Sequence, residues 1–254
     1  MKNFALGGMF ALQFFSVIPI HQQIEPSPSR VRAALVWLPM IGVGFGAVNL
    51  VLFDLLEPVV SLFSLVMIAI IVPIVLSGGL HMDGLMDTGD AYFSYQEPEK
   101  RLNVMKDPRT GAFGVLTILT VLALRFVFMY EALRAETAAF WFLLGIPALA
   151  RVGMVGLLGH APSAKKNGLS AFFQKSYLPS VTWWLVGISF FIILGISFVT
   201  HIFTATAVGL AVFAVIWLMK EWSIKAFGGI TGDVCGASLE GMVTLLWLIV
   251  WIFI

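Results

Sequence analysis

Eight apolar stretches separated by polar intervals decide what this chain can fold into: residues 4–20, 33–53, 59–76, 113–133, 138–158, 181–199, 203–219 and 241–254. A bilayer crossing needs about 20 mostly apolar residues. In lipid each such stretch must satisfy its own backbone, which a helix does. The run 181–219 holds 39 residues, far too long for one crossing of a ~30 Å core at about 1.5 Å per residue. A break is therefore expected near Thr200–Thr204. The first stretch is short and contains Pro19, and the last has 14 residues, so either could be interfacial or partly buried. Only 11% of the residues are charged, against roughly a quarter in soluble domains. The expected fold is all-α, a polytopic integral membrane helical bundle of about 7–8 transmembrane helices. No small-x-small cleavage pattern follows the first stretch, so it reads as a retained segment.

Charge orients the bundle. If all eight segments cross, one side holds Arg30, Arg32, Lys100, Arg101, Lys106, Arg109, Lys165, Lys166, Lys175, Lys220 and Lys225. The other side holds Lys2 and Arg134, while Arg125 and Arg151 fall inside spans. That bias makes the first side cytoplasmic, and the long polar loops 21–32, 77–112, 159–180 and 220–240 all lie there. The expected location is the bacterial cytoplasmic (inner) membrane, multi-pass, with the working face toward the cytoplasm. A net charge of +1 gives no general attraction to nucleic acid. The single Cys235 excludes an internal disulfide.

Three polar clusters interrupt the apolar pattern. In Gly78-Gly79-Leu80-His81-Met82-Asp83-Gly84-Leu85-Met86-Asp87-Thr88-Gly89-Asp90, the three aspartates stand at i, i+4 and i+7 and share one helical face. Like charges so placed repel one another unless a cation lies among them. Carboxylate oxygens suit hard cations such as Mg2+, which takes one or two carboxylates and leaves positions for water and phosphate. The plain alternative is a solvated acidic helix start, favoured by the helix dipole. Gly78, Gly79, Gly84 and Gly89 suggest close approach of a ligand or another helix. His81 could ligate, but hydrogen bonding to substrate or a structural role suits its chemistry better, since Mg2+ prefers oxygen.

The second cluster, Met105-Lys106-Asp107-Pro108-Arg109-Thr110-Gly111-Ala112-Phe113-Gly114, offers Lys106 and Arg109 to phosphate oxygens. Both could instead be ordinary positive-inside anchors, and Asp107 could cap the turn or join a metal shell. The third runs Gly228-Gly229-Ile230-Thr231-Gly232-Asp233-Val234-Cys235-Gly236-Ala237 and leads to Glu240. Asp233 and Glu240, seven apart, share a helical face. Two acidic faces from separate helices could hold a pair of metal ions, an arrangement used for in-line phosphoryl displacement. The glycines could equally be helix-packing points.

The remaining polar residues have plainer readings. Arg125 and Arg151 require a partner or a cavity inside the membrane, and Glu131 is a weak pairing candidate for Arg125. Trp183, Trp184, Trp217 and Trp222 read as interfacial anchors. Lys165-Lys166 reads as a solvated loop able to reach a polyanion, and Asn49 as inter-helical glue.

Taken together, Gly79 to Leu85 with Asp87-Thr88 and Asp90, then Lys106-Asp107-Pro108-Arg109 with Gly111 and Phe113-Gly114, then Gly228-Gly229 with Thr231-Gly232-Asp233 and Gly236-Ala237, resemble the cobalamin synthase family over essentially the whole chain. Met86, Gly89 and Ala91 depart from its commonest pattern and leave the acids intact. The resemblance implies one membrane-embedded catalytic domain over residues 1–254. It further implies an adenosylcobinamide-GDP ribazoletransferase. A hydroxyl of α-ribazole, or of its 5′-phosphate, attacks the β-phosphorus of adenosylcobinamide-GDP, and GMP leaves. Mg2+ is the implied cofactor, held by Asp83, Asp87, Asp90 and Asp233, with Glu240 as a further metal candidate. Lys106 and Arg109 would neutralise the leaving group, with Asp107 and Thr231 beside them as substrate contacts. The proton acceptor would be His81 or an aspartate of the cluster. The implied partners are the two substrates and the lipid bilayer. Self-association, or association with other corrinoid-pathway enzymes, is compatible with the sequence.

Two rivals remain at this level. A CDP-alcohol phosphotransferase also sets aspartates on membrane helices, but its Asp-Gly-x-x-Ala-Arg pattern is missing after Asp83-Gly84. A cation transporter would place its acids near the bilayer midplane on interrupted helices, whereas these acids fall at predicted span ends.

Overall fold

The computed structural model describes residues 2–254 and is helical throughout, with a single isolated bridge between Ser163 and Ile230. Eleven α-helices follow in order: α1 (Lys2–Phe15), α2 (Pro28–Leu56), α3 (Leu62–Leu76), α4 (Leu80–Phe93), α5 (Pro98–Val104), α6 (Ala112–Ala135), α7 (Phe142–His160), α8 (Leu169–Gln174), α9 (Pro179–Ser197), α10 (Ile202–Phe227) and α11 (Gly232–Phe253). A 3-10 turn, Thr137–Trp141, leads into α7.

Six of these elements are long and apolar enough to cross a membrane: α2, α6, the turn with α7, α9, α10 and α11. α3 and α4 make a seventh only as a bent pair, with 93° between them. The expected break in 181–219 falls at Phe198–His201, between α9 and α10. The segment 241–254 is the second half of α11, a helix of 22 residues that begins back at Gly232.

For the first stretch the structure selects the second of the two readings, a crossing or an interfacial helix, and with it moves Lys2 to the other side. α1 has 14 residues, roughly 21 Å of helix, short of the ~30 Å apolar core. Near its start Asn3 accepts from Arg30 (3.4 Å), and just past its end Val17 N–H donates to Leu76 C=O (2.9 Å). Both partners belong to the half of the bundle that carries α4. α1 therefore lies against that end rather than crossing, and Lys2 joins the basic residues there.

Close packing centres on α7, which is 89% buried over its apolar window, whereas α6 is 17% buried and faces outward. Hydrocarbon offers no hydrophobic drive between spans, so contact depends on small residues that let backbones meet. Gly42 and Gly46 of α2 do this against α7. A Cβ on Gly42 would stand 2.5 Å from Pro147 O, and one on Gly46 would stand 2.7 Å from Leu143 O. Asn49, one turn further on, donates to Ala69 C=O of α3 at 2.9 Å, the inter-helical role expected of it. Large apolar side chains such as Leu55, Phe63, Leu119, Phe190 and Leu210 stay exposed around the periphery. A continuous exposed apolar surface of this kind requires lipid around it.

Candidate active site

The α3–α4 bend creates the working end of the molecule. Gly78 (φ +66°) and Gly79 (φ +75°) both adopt left-handed backbone, which L side chains take only under strain. They turn the chain, and α4 starts afresh at Leu80. The two remaining glycines serve helix contacts. A Cβ on Gly84 would meet the Asp233 carbonyl at 2.8 Å, and Gly89 backs onto Thr117 of α6. The close approach anticipated for these four glycines is therefore to protein.

The Gly84 contact decides the geometry. It brings the start of α11 onto the acidic face of α4, with Gly236 reciprocally against the His81 backbone at 3.2 Å. Asp233 is thereby set beside Asp83 and Asp87, and Asp87 lies close enough to Asp83, Asp233 and Asp90 to feel all three charges. The start of α11 is itself fixed locally. Gly228 (φ +73°) and Gly229 end α10 by donating back to Ile224 and Ser223. Thr231 Oγ1 accepts from Val234 N–H at 3.1 Å as the α11 N-cap. The hydroxyl also lies 3.3 Å from Asp233. Thr231, expected among substrate contacts, is buried and spent on this cap.

The acids divide into two kinds. Asp83 and Asp87 accept no hydrogen bond from the described residues. Asp90 is fully engaged, one carboxylate oxygen accepting from Gly111 N–H at 2.6 Å and the other from Gly114 N–H at 2.7 Å. It caps α6 from outside the helix, where an anion meets free N–H groups and the positive dipole end. Gly111 and Gly114 leave the necessary room, since a Cβ at either would strike the Asp90 carboxylate. Asp90 thus ties the Lys106–Gly114 segment to α4.

Glu240 leaves the metal set. Its carboxylate pairs with Arg125 Nη2 at 2.7 Å, with both side chains nearly fully buried. Arg125 also donates to Glu240 C=O (2.8 Å) and Thr244 Oγ1 (3.1 Å). Two turns deeper than Asp233, Glu240 neutralises an intramembrane arginine; Glu131 instead sits near Arg134 at 3.7 Å. Among the described residues no three His, Cys, Asp or Glu side chains converge as a preformed metal cage, so two metal-binding faces are not assembled. The arrangement fits a Mg2+ held by one or two carboxylates and completed by phosphate and water. The carboxylates from which those one or two donors could come are Asp83, Asp87 and Asp233.

His81 is 3% exposed, its ring stacked on Phe15 (6.2 Å between centroids, 19°) and its Nε2 unpartnered within the described residues. It lies beneath the carboxylates, not among them. Asp107 grips Arg109 through both oxygens, at 2.9 Å to Nε and 2.6 Å to Nη2. These bonds hold the Asp107 carboxyl well below its ordinary range, at about 2. The Arg109 side chain is 86% exposed.

Two basic residues gain importance that the sequence alone did not give them. The Ser163–Lys165 loop is stapled to the α10–α11 junction, Ile230 N–H donating to Pro162 (2.8 Å) and Ala164 N–H to Ile230 (2.9 Å). Lys165 is thereby brought near both Lys106 and Asp233, and partial burial with the neighbouring Lys106 charge lowers its pKa. Arg101 donates to Ala226 C=O at 3.1 Å and covers the Tyr92 ring at 5.1 Å, locking α5 to the end of α10. Neither contact has a periodic signal. Trp222, expected as an interfacial anchor, packs between Tyr92 and Phe227.

Comparison with known proteins bears on the whole chain. Residues 7–251 match the family model described as cobalamin-5-phosphate synthase. A Geobacillus kaustophilus protein named adenosylcobinamide-GDP ribazoletransferase is 35% identical over 99% of this chain and 97% of its own length. Proteins of the same name are similar at 36% in Geobacillus thermodenitrificans, covering 99% and 97%, and at 34% in Pseudomonas syringae, covering 91% and 92%. No solved structure matches. With the family match running through all three motifs and relatives at 34–36% identity over nearly the whole chain, the chain belongs to the cobalamin-5-phosphate synthase family.

Proposed function

We propose that this protein is an adenosylcobinamide-GDP ribazoletransferase that joins α-ribazole, or its 5′-phosphate, to the cobinamide phosphate and releases GMP. The observation that carries the reading is one juxtaposition. Carboxylates from two helices, Asp83 and Asp87 on α4 with Asp233 on α11, stand together at the end of the bundle where Lys165 lies near Asp233 and Lys106. Acids alone would repel a diphosphate and lysines alone would hold one without a metal. Both together suit a metal-bound diphosphate.

Mg2+ held by one or two of Asp83, Asp87 and Asp233 would supply positive charge to the diphosphate oxygens. The protein does the rest. The ribazole hydroxyl oxygen forms a bond to the β-phosphorus, the bond from that phosphorus to the bridging oxygen breaks, and GMP carries the bridging oxygen away. Lys106 and Lys165 stand where negative charge gathers on that leaving group. The hydroxyl proton passes to a carboxylate of the exposed face, for which Asp83 is better placed than the buried His81.

The membrane placement follows the same end of the molecule. The segments 16–27, 77–111 with α4 and α5, 161–178 with α8, and 228–231 gather there, and with Lys2 included Arg134 is the one Lys or Arg at the opposite end among the described residues. The positive-inside bias supports an active face in the cytoplasm of a bacterial inner membrane. The deciding experiment gives purified full-length protein in detergent adenosylcobinamide-GDP, α-ribazole and Mg2+, and follows GMP. Release above an Asp83→Asn control is expected, and its absence overturns the reading.

A further inference from the structure

A polar cavity of about 40 Å3 lies among α2, α3, α4, α6, α7 and α11, and the scheme above gives it no role. Its lining carries two guanidiniums, Arg125 and Arg151, and one carboxylate, Glu240. That carboxylate already pairs with Arg125 at 2.7 Å. Arg151, at the middle of α7, is 3% exposed and forms no ion pair among the described residues. It donates one N–H to Pro147 C=O at 2.9 Å in its own helix and lies over the Phe45 ring at 4.6 Å. A guanidinium has five N–H donors and keeps its proton in proteins. The carbonyl and the ring ease its burial without cancelling its charge. Two guanidiniums against one carboxylate therefore leave one positive charge unmatched, in a part of the bundle where an arginine needs a partner.

Unsatisfied groups gather at the same residues. Among the described residues five buried side-chain atoms have no hydrogen-bond partner, and three of them, Asn49 Oδ1, His81 Nε2 and Arg151 Nε, belong to this lining. Buried polar atoms are nearly always satisfied, by protein or by an ordered occupant, so their concentration around one cavity calls for an occupant. We propose that the cavity is a binding site for one small monovalent anion, chloride or an ion of its size, which supplies the counter-charge to Arg151. Size sets the class. Each water-sized occupant needs roughly 10–15 Å3 of such space, so the cavity admits one ion with one or two waters. A phosphate, with its five heavy atoms, is too large. A cation is excluded by the two guanidiniums. Waters alone would satisfy Asn49 Oδ1 and leave the charge of Arg151 unmatched. The ion accepts from the N–H groups that Arg151 does not spend on Pro147, and an accompanying water donates to Asn49 Oδ1. It thereby fastens α7 to α2 and α4 beneath the carboxylates, as a structural ion separate from the reaction.

The test reads the ion directly and does not use the reaction, so failure of GMP release leaves it intact. Full-length protein in detergent is exchanged into sodium gluconate, whose anion is too large to enter, and melted with sodium chloride or bromide added at constant ionic strength. Either halide should raise the melting temperature saturably, by roughly 5–10 °C at about 100 times its Kd. Equilibrium dialysis of wild type with radioactive chloride should find one bound ion per chain, displaced by bromide. Arg151→Met, which removes the unmatched charge, should lose both the halide-dependent shift and the bound chloride. Should that variant fail to fold, crystals of wild type grown in bromide still decide, with an anomalous peak expected within hydrogen-bond reach of Arg151. A halide response as large in Arg151→Met as in wild type overturns the proposal. So does a wild type that melts identically in gluconate and chloride, or bromide crystals with water alone beside Arg151.

Discussion

Arg125 on α6 and Glu240 on α11 meet at 2.7 Å with both side chains almost completely buried, 115 residues apart in the chain. Removing one partner leaves a charge stranded in apolar surroundings, which costs about 3–5 kcal/mol. Arg125→Met and Glu240→Gln are each expected to lower the melting temperature markedly in detergent. Arg125→Met with Glu240→Leu should recover part of the loss, as a double-mutant cycle would measure. A cycle with no coupling would contradict the pairing.

Asp90 accepts two backbone N–H groups from the α6 start, and hydrogen bonds to charged groups contribute about 1.5–3 kcal/mol each. Asp90→Ala should free the 105–111 segment. Limited proteolysis there should accelerate, and KM for the GDP substrate should rise more than kcat falls. Protection equal to wild type would show that the cap does not hold the loop.

Gly84 is the point where α4 touches the Asp233 backbone, so Gly84→Val cannot be accommodated without moving one helix. Overpacking of this kind costs roughly 1–3 kcal/mol. Activity should fall further than stability, because the displacement separates Asp233 from Asp83 and Asp87. A variant with wild-type turnover would show the contact to be dispensable.

Chelation should abolish GMP release, and added Mg2+ should restore it. Asp83→Asn and Asp87→Asn should each lower kcat by about 10²–10³ and raise the Mg2+ concentration needed for half-maximal rate. Folded Glu240→Gln protein should keep the wild-type Mg2+ dependence, because its carboxylate serves Arg125.

The Asp107 carboxyl is held at about 2 by Arg109, below an unfolded value of about 3.9. Its stabilising contribution is therefore complete above the unfolded value and is lost as pH falls through about 2. Asp107→Asn should leave the acid limb of the pH–rate profile unchanged between about pH 5 and 7. A displaced limb would mean that Asp107 titrates during turnover.

What could be read from the chain followed from local rules. Apolar length decided which segments cross, charge asymmetry decided which loops share a side, and the i, i+4, i+7 spacing put three aspartates on one face. Three assignments depended on contacts remote in sequence, and there the spacing misled or fell silent. Length alone left α1 open between a crossing and an interfacial helix, and the bonds of its ends to Arg30 and Leu76 at the same end of the bundle decide it. Glu240 shared a helical face with Asp233, but periodicity says nothing about the arginine waiting on α6. Lys165 looked like a solvated loop residue until Ile230 fixed its loop beside the carboxylates.

The sequence by itself determined a membrane helical bundle with acids and bases collected at one end, because hydropathy, charge and helical period are properties of neighbours along the chain. Which acids remain without a protein partner and which are bound to the fold was decided by the tertiary structure. A carboxylate on one of these helical faces becomes a cap when two amides meet it, as at Asp90. It becomes a counterion when a guanidinium meets it in apolar surroundings, as at Glu240. It stays available when neither arrives, as at Asp83 and Asp87.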